Sequence, residues 1–276
     1  MAYIYAILMA SVGPTLTQNS TTPTDSLIVR LMSPKPPKAV LFDLDDTLFD
    51  HRRSARGAVE AIRRIEPALA SASDEEVNQA NREILEEIHL RVLSGEIDVD
   101  QAREERMFRL LERFGGSATQ ADAVRLAFHY RQAYQGIREV VPGAHALLAE
   151  LRHRNYRLAV VTNNMTAEQE EKMRTLRLSS LVDELVVSEA IGVSKPDAKI
   201  FRVALEWLGV RPEQTVMVGD SWSSDIVGAV GVGIPAVWYN PLRHEVPDTT
   251  LPLAGQIHAL EPTTEIADTI QQALEP

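Results

Sequence analysis

Apolar residues recur at two different spacings along this chain, and the change between them divides it. From Ser54 to about Ile137 the spacing is helical: Val77, Ile84, Ile88 and Val92 form one stripe, and Met107, Leu110, Leu111 and Phe114 another. Gly95 and the run Gly115-Gly116-Ser117 interrupt these stripes, and Asp74 and Thr119 are N-cap candidates. Nothing in this stretch alternates like a strand, so it predicts a bundle of about four helices. After Val141-Pro142-Gly143 helix and strand alternate. Helices are predicted over 144–153, 167–176, 197–208 (capped by Asp197), 225–230 and 263–274. Strands are predicted over 157–163, 184–188, 215–220, 234–239 and 256–260. One further apolar run, Lys38 to Phe42, precedes the helical stretch and reads as a buried parallel strand.

This order predicts an α/β protein: one strand, a helical insert, then the rest of a parallel sheet covered by helices on both faces. The core is expected over 38–50 and 141–276, and the helical cap over 51–140. The cap follows the end of the first strand directly, so it is expected to sit above that end.

Residues 1–37 are unlike the rest. Met1 to Gly13 is apolar but short of the roughly 20 residues a membrane-spanning helix needs, and no Lys or Arg precedes it as in a secretory signal. Residues 14–26 are rich in Ser, Thr and Pro, and Met32 opens Met-Ser-Pro-Lys-Pro-Pro-Lys just ahead of the first strand. Residues 1–37 are therefore expected to be a disordered extension, with 1–31 upstream of the natural start.

Composition narrows the function classes. Among 276 residues, 45% are hydrophobic and 24% charged, an ordinary globular balance. The formal net charge of -11 argues against a broad nucleic-acid or anionic-membrane footprint. The absence of cysteine excludes disulfides, thiolate catalysis and Cys-ligated metals, and makes a cytoplasmic location the simplest expectation. The seven histidines are scattered, with no His-x-x-x-His pair, and are expected in surface or core roles.

The chemistry gathers at strand ends. The first strand stops at Asp43-Leu44-Asp45-Asp46-Thr47, three acids in four residues. Such a cluster repels itself unless a cation or a catalytic task holds it together. Side chains two apart on a strand share a side, which puts Asp43 and Asp45 together where open α/β sheets bind ligands. Thr162-Asn163 ends the next strand, Lys195 lies in Gly192-Val193-Ser194-Lys195-Pro196, and Gly219-Asp220 leads to Asp225. Singly, each has an ordinary explanation: turns for the Asp pair and Thr162-Asn163, a loop at Gly219-Asp220, a solvated surface for Lys195, an N-cap for Asp225. In order at successive strand ends, they supply two carboxylates, a hydroxyl, an ammonium and a further acidic pair, a set suited to metal-assisted phosphoryl transfer.

These four segments resemble the four motifs of the haloacid dehalogenase superfamily over roughly residues 38–240, and the helical insert matches that superfamily's first cap type. The stretch Lys195 to Asn240 is similar to the pyrimidine nucleotidase and N-acylneuraminate-9-phosphatase group. The resemblance implies a Rossmann-like core in which Asp43 attacks phosphorus and forms an aspartyl-phosphate. It implies that Asp45 protonates the leaving oxygen and then activates water, its backbone carbonyl also binding metal. Thr162, with backbone N–H groups near Leu44 and Asn163, would bind the phosphoryl group, and Lys195 would neutralise it. Asp220 would bind Mg²⁺ with Asp43, supported by Asp225; hard oxygen ligands favour Mg²⁺ over Zn²⁺. Haloacid dehalogenases lack an acid two residues after the nucleophile, because a halide leaves without a proton. Asp45 therefore points to phosphate ester hydrolysis of a small phosphorylated metabolite, a nucleoside monophosphate or sugar phosphate. A phosphomutase of the same fold and a non-catalytic binding protein are the rival readings.

In the cap, Arg103, Arg106 and Arg109 form a basic stripe. It is expected to pair with Glu104, Glu105 and Glu112, or else to send one arginine down to a distal anion of the substrate. Trp222 suits either the core or the mouth of the site, and Trp238 and Tyr239 are expected to pack.

Overall fold

The computed structural model describes residues 37–275 except Ser94 and Ser117. Pro37 apart, the expected N-terminal extension lies outside the described residues. Strand β1 (Lys38–Phe42) is central in a six-stranded parallel sheet of order β3-β2-β1-β4-β5-β6. The others are β2 (Tyr156–Thr162), β3 (Glu184–Val187), β4 (Thr215–Gly219), β5 (Ala236–Tyr239) and β6 (Gly255–Ile257). Val40, Phe42, Val160, Val216 and Val218 face Leu147, Leu148 and Leu151 of α6 (Ala144–His153) and Ile266 and Ile270 of α11 (Thr263–Gln272). Leu41, Ala159, Val161 and Met217 face Ile200, Phe201, Ala204 and Leu208 of α9 (Ala198–Leu208). With both faces covered, alternation of side chains requires apolar residues at every position, which is why these strands read as unbroken apolar runs.

The strands and helices stand where the sequence predicts, with shifted ends. β5 begins at Ala236 rather than Ile234, since Pro235 has no N–H to give; its carbonyl accepts from the Met217 N–H at 2.9 Å. Ser188, expected to end β3, instead opens the short helix α8 (Ser188–Ile191). The segment expected as a helix from Asp225 begins earlier, as a π-helical turn over Trp222–Ile226 capped by the Ser221 side chain, and continues as α10 (Val227–Gly231).

The insert is α1 (His51–Arg63), α2 (Pro67–Ala70), α3 (Asp74–Leu93), α4 (Val99–Arg113) and α5 (Gln120–Gly136). Its own core holds Val59, Ile62, Val77, Ile84, Met107, Leu110 and Leu126. α1 starts before the expected Ser54 because the Asp50 carboxylate accepts the Arg53 N–H at 2.9 Å. Thr119 caps α5 as expected, but Ser73, not Asp74, caps α3: its hydroxyl accepts the Glu76 N–H at 3.2 Å, while Glu76 accepts the Ser73 N–H at 2.8 Å. Gly95 and Gly115 both adopt positive φ where the helices break. The chain enters and leaves the insert side by side. Asp50 N–H donates to the Glu139 carbonyl at 3.0 Å, and Val141 N–H to the Leu48 carbonyl at 2.9 Å.

Candidate active site

The strand order reverses between β1 and β4, and ligands of open α/β sheets bind at such a switch point, beyond the carboxyl ends of the strands. Asp43 follows β1 there, its N–H bonded to the Val218 carbonyl at 3.0 Å. The chain then turns sharply: Asp46 takes a φ of 63°, and its carboxylate accepts the Arg52 N–H at 2.8 Å. Thr47 is fully buried and its hydroxyl accepts the Asp220 N–H at 3.1 Å, fastening the β1 turn to the end of β4. Trp238 Nε1 donates to the Asp220 carbonyl at 2.8 Å, and Trp222 packs edge-on to Trp238 at 5.0 Å.

Lys195 is buried and spends all three protons. Its Nζ donates to Asp43 Oδ1 at 2.5 Å, Asp225 Oδ1 at 2.7 Å and the Val161 carbonyl at 2.7 Å. Asn163 fixes the lysine's backbone, accepting its N–H at 2.7 Å and donating to its carbonyl at 2.9 Å. Asp225 Oδ2 accepts the Ser221 N–H at 3.0 Å. Thus Asp225 is not the N-cap of the ordinary reading; its side chain is fully buried against Lys195.

Carboxylate oxygens of Asp43, Asp220 and Asp225 lie within 4.8 Å of one another. Three buried or half-buried acids thus face one ammonium. Burial pushes the Asp43 carboxyl well up, with Asp225 and Asp220 adding to it against Lys195. Burial, then Asp225 and Asp46, push Asp220 up to about 7, against Arg52, whose guanidinium is 3.2 Å from its Oδ2. Burial works against the Lys195 ammonium, but Asp225 and Asp43 hold it above its ordinary range. This cluster of hard oxygens with an excess of negative charge fits a small divalent cation.

Asp45 meets different surroundings. Its Oδ1 accepts from Lys172 Nζ at 2.6 Å, and its Oδ2 from Gln169 Nε2 at 3.0 Å. Burial alone would raise its carboxyl, but Lys172, with His51 further off, holds it well below the carboxylate range. Gln169 Nε2 also donates to the Thr162 hydroxyl at 2.7 Å, so one amide ties Asp45 to Thr162. Lys172 and Gln169 project from α7 (Thr166–Thr175) and are buried. The sequence carries no signal for either, since 166–172 is almost wholly polar; only the structure shows them on the buried face of α7 with Met173.

A cavity of about 380 Å³ opens from Asp45, Asn163 and Lys172 toward the cap, where Arg106, Tyr130 and Arg138 line it. His51 and His89 also line it, so these two histidines are more than the surface or core residues expected. His51 Nδ1 is 2.7 Å from the Tyr134 hydroxyl, and burial lowers its basicity, against the pull of Asp45 and Asp46. The basic stripe of α4 splits. Arg103 pairs with Asp100 at 2.7 Å and Glu168 at 3.5 Å, and Arg109 with Glu87 and, at 3.9 Å, Glu105. Neither Glu104 nor Glu112 pairs with the stripe among the described residues: Arg103 takes Asp100 of its own helix and Glu168 of α7, and Arg109 takes Glu87 of α3.

Residues 37–233 match the family model of the haloacid dehalogenase-like hydrolases. Among curated relatives, a glyceraldehyde 3-phosphate phosphatase of Methanothermobacter thermautotrophicus is 32% identical, over 74% of this chain and 85% of its own. The pyrimidine 5'-nucleotidase PynA of Streptococcus pneumoniae is 32% identical, over 74% of this chain and 84% of its own. Among solved structures, the magnesium-bound HAD-hydrolase YfnB of Bacillus subtilis superposes with a TM-score of 0.66 at 24% identity, covering 85% of this chain and 100% of that one.

Proposed function

The chain belongs to the haloacid dehalogenase-like hydrolases, and we propose that it is a Mg²⁺-dependent phosphatase of the cytoplasm, hydrolysing a small phosphorylated metabolite through an aspartyl-phosphate. The observation that carries this reading is Asp45. A half-buried carboxylate two residues after the nucleophile, held by Lys172 beside Thr162, is a proton carrier that an alkoxide leaving group needs and a halide does not. Phosphatases and a nucleotidase among the relatives support the reaction class, and a sugar phosphate or nucleoside monophosphate suits it. No described helix is long and apolar enough to cross a membrane.

In this reading residues 38–50 and 141–276 are the catalytic core and 51–140 the cap that closes over the substrate and excludes water. An Asp43 oxygen attacks phosphorus, the bond to the leaving oxygen breaks, and Asp45 delivers a proton to that oxygen. Asp45 then takes a proton from water as the water attacks the aspartyl-phosphate, which releases phosphate and restores Asp43. The ion pair with Lys172 keeps Asp45 in the base form the second step uses. Its acid role in the first step requires that this pair loosen and a proton be taken up as substrate binds. The Thr162 hydroxyl and the backbone around Leu44 and Asn163 hold the phosphoryl oxygens, and Lys195 offsets their charge. Asp43, the Asp45 carbonyl and Asp220 would hold Mg²⁺, with Asp225 buttressing them. When bound, the ion supplies positive charge against the phosphoryl group and the acidic cluster.

Phosphate release from a panel of phosphometabolites with Mg²⁺, wild type beside Asp43→Asn, tests the reading. Turnover by wild type alone is expected, with Asp45→Asn slower by roughly two to four orders of magnitude. Undiminished turnover by Asp43→Asn would exclude the covalent route. A bisphosphate product in place of free phosphate would make the protein a mutase.

A further inference from the structure

Arg106 is 8% exposed and its Nε has no hydrogen-bond partner among the described residues. Its neighbours on α4 are neutralised: Arg103 by Asp100 and Glu168, Arg109 by Glu87. Arg138, also facing the cavity, is neutralised by Glu168 and Glu171. Arg106 meets no carboxylate among the described residues; its guanidinium stacks on the Tyr130 ring, 4.3 Å from the centroid. Stacking on a ring offsets only part of the cost of removing a charge from water. An arginine kept in this state is poised for an anion that arrives from outside.

The surroundings say where that anion comes from. Arg106 lines the same cavity as Asp45, Asn163 and Lys172, so one molecule can reach both ends. His51 feels the charges of both Asp45 and Arg106, which places the guanidinium within electrostatic range of the reacting end. Two of the cavity's carboxylates are already engaged, Asp45 by Lys172 and Glu168 by Arg138, and Glu86 is exposed. Arg131, next to Tyr130, lines the cavity too and meets no carboxylate among the described residues. The cap side of the cavity therefore carries uncompensated positive charge in a chain whose net charge is -11. That charge is not needed for the scissile phosphoryl group, which has Lys195 and the acidic cluster with its cation.

We infer that Arg106 receives a second anionic group, so that the substrates are phosphoric monoesters bearing a carboxylate or another phosphoryl group at the end remote from the scissile ester. The inference rests on the phosphatase reading above and narrows it. A planar guanidinium with two NH₂ edges suits either oxyanion.

Matched probes test it. Ribose 5-phosphate carries no second anion; 5-phosphoribonate adds a carboxylate and ribose 1,5-bisphosphate a phosphoryl group at the far carbon. Wild type is expected to prefer, in kcat/KM, one or both of the probes that bear a second anionic group. Arg106→Met should cut that preference by roughly ten- to hundredfold, the worth of a charge-assisted hydrogen bond, and Arg106→Lys should keep part of it. Which arm responds tells carboxylate from phosphoryl. The readout is a ratio between probes, so a variant that folds poorly lowers both and leaves it unmoved. Equal kcat/KM for all three probes in wild type, or an unchanged ratio in Arg106→Met, overturns the inference. If wild type releases phosphate from none of them, the phosphatase reading itself has failed. Calorimetric Kd ratios for the same probes on Asp43→Asn, with and without Arg106→Met, then decide the subsite without turnover.

Discussion

Asp43 and Asp45 lie two residues apart and meet opposite electrostatic surroundings. Asp43 shares its ammonium with Asp225 and faces Asp220, so burial and like charge push it up. Asp45 has the Lys172 ammonium 2.6 Å away and is held down in spite of burial. Environments that drive two carboxyls apart are how acid–base roles are divided between them. Lys172→Met should therefore let burial raise the Asp45 carboxyl. In the proposed mechanism Asp45 must be ionised to activate water, so the acid limb of the kcat–pH profile, where Asp45 sets it, is expected to move to higher pH. The shift should be roughly one to three pH units, the effect of an adjacent cation on a carboxylate. A carboxyl-carbon NMR titration of Asp45 in both proteins checks this, and an unmoved carboxyl would reduce Lys172 to packing. Asp43, Asp45, Lys195 and Asp220 were legible as candidates only as an ordered set matching a family's motifs, since each alone had an ordinary reading. Lys172 was not, because Thr166-Ala-Glu-Gln-Glu-Glu-Lys172 reads as a solvated helix. Its burial comes from the turn after β1, where it meets Asp45 and the Phe49 ring.

At the scale of elements, period told strand from helix and the caps of α5 and α9 were visible, since both depend on near neighbours. What the sequence hid depends on tertiary company. Asp225 looked like a helix cap, yet it lies inside a turn that Ser221 caps, which leaves the Asp225 carboxylate to reach Lys195. That arrangement needs a bare backbone at the end of β4. A Cβ on Gly219 would collide with the Asp225 carboxylate and its Cβ. Gly219→Ala is thus expected to displace Asp225, loosen Lys195 and slow turnover. It should also cost about 1–3 kcal/mol of stability, the range for overpacking a close-packed site. Gly231→Ala is the control, since a Cβ there meets nothing within 4 Å. Thermal melts and phosphate release on both variants check the contrast; equal behaviour would mean that the β4 end relaxes freely.

For the whole molecule the acidic cluster sets function against stability. Folding brings Asp43, Asp220 and Asp225 together against one lysine, an arrangement no packing force favours when they are ionised. Asp220 shows the sign. A carboxyl raised to about 7 contributes stability that is complete below its unfolded value of about 3.9 and is lost as pH rises through 7. Above that pH, without a cation, the folded state carries the full repulsion. Asp220→Asn removes it, so at pH 8 in EDTA the variant is expected to melt above wild type, with the gap narrowing toward pH 5. Mg²⁺ should reverse the order. A ligand that binds only the folded state adds stability by mass action, about 2.7 kcal/mol at a hundredfold excess over Kd. Wild type should gain this and the variant little of it. Differential scanning calorimetry of both proteins, with EDTA and with MgCl₂, reads all four states. An equal Mg²⁺ increment in the two proteins would mean that Asp220 does not hold the ion. A variant melting below wild type in EDTA would mean that its bonds to Arg52 outweigh the repulsion.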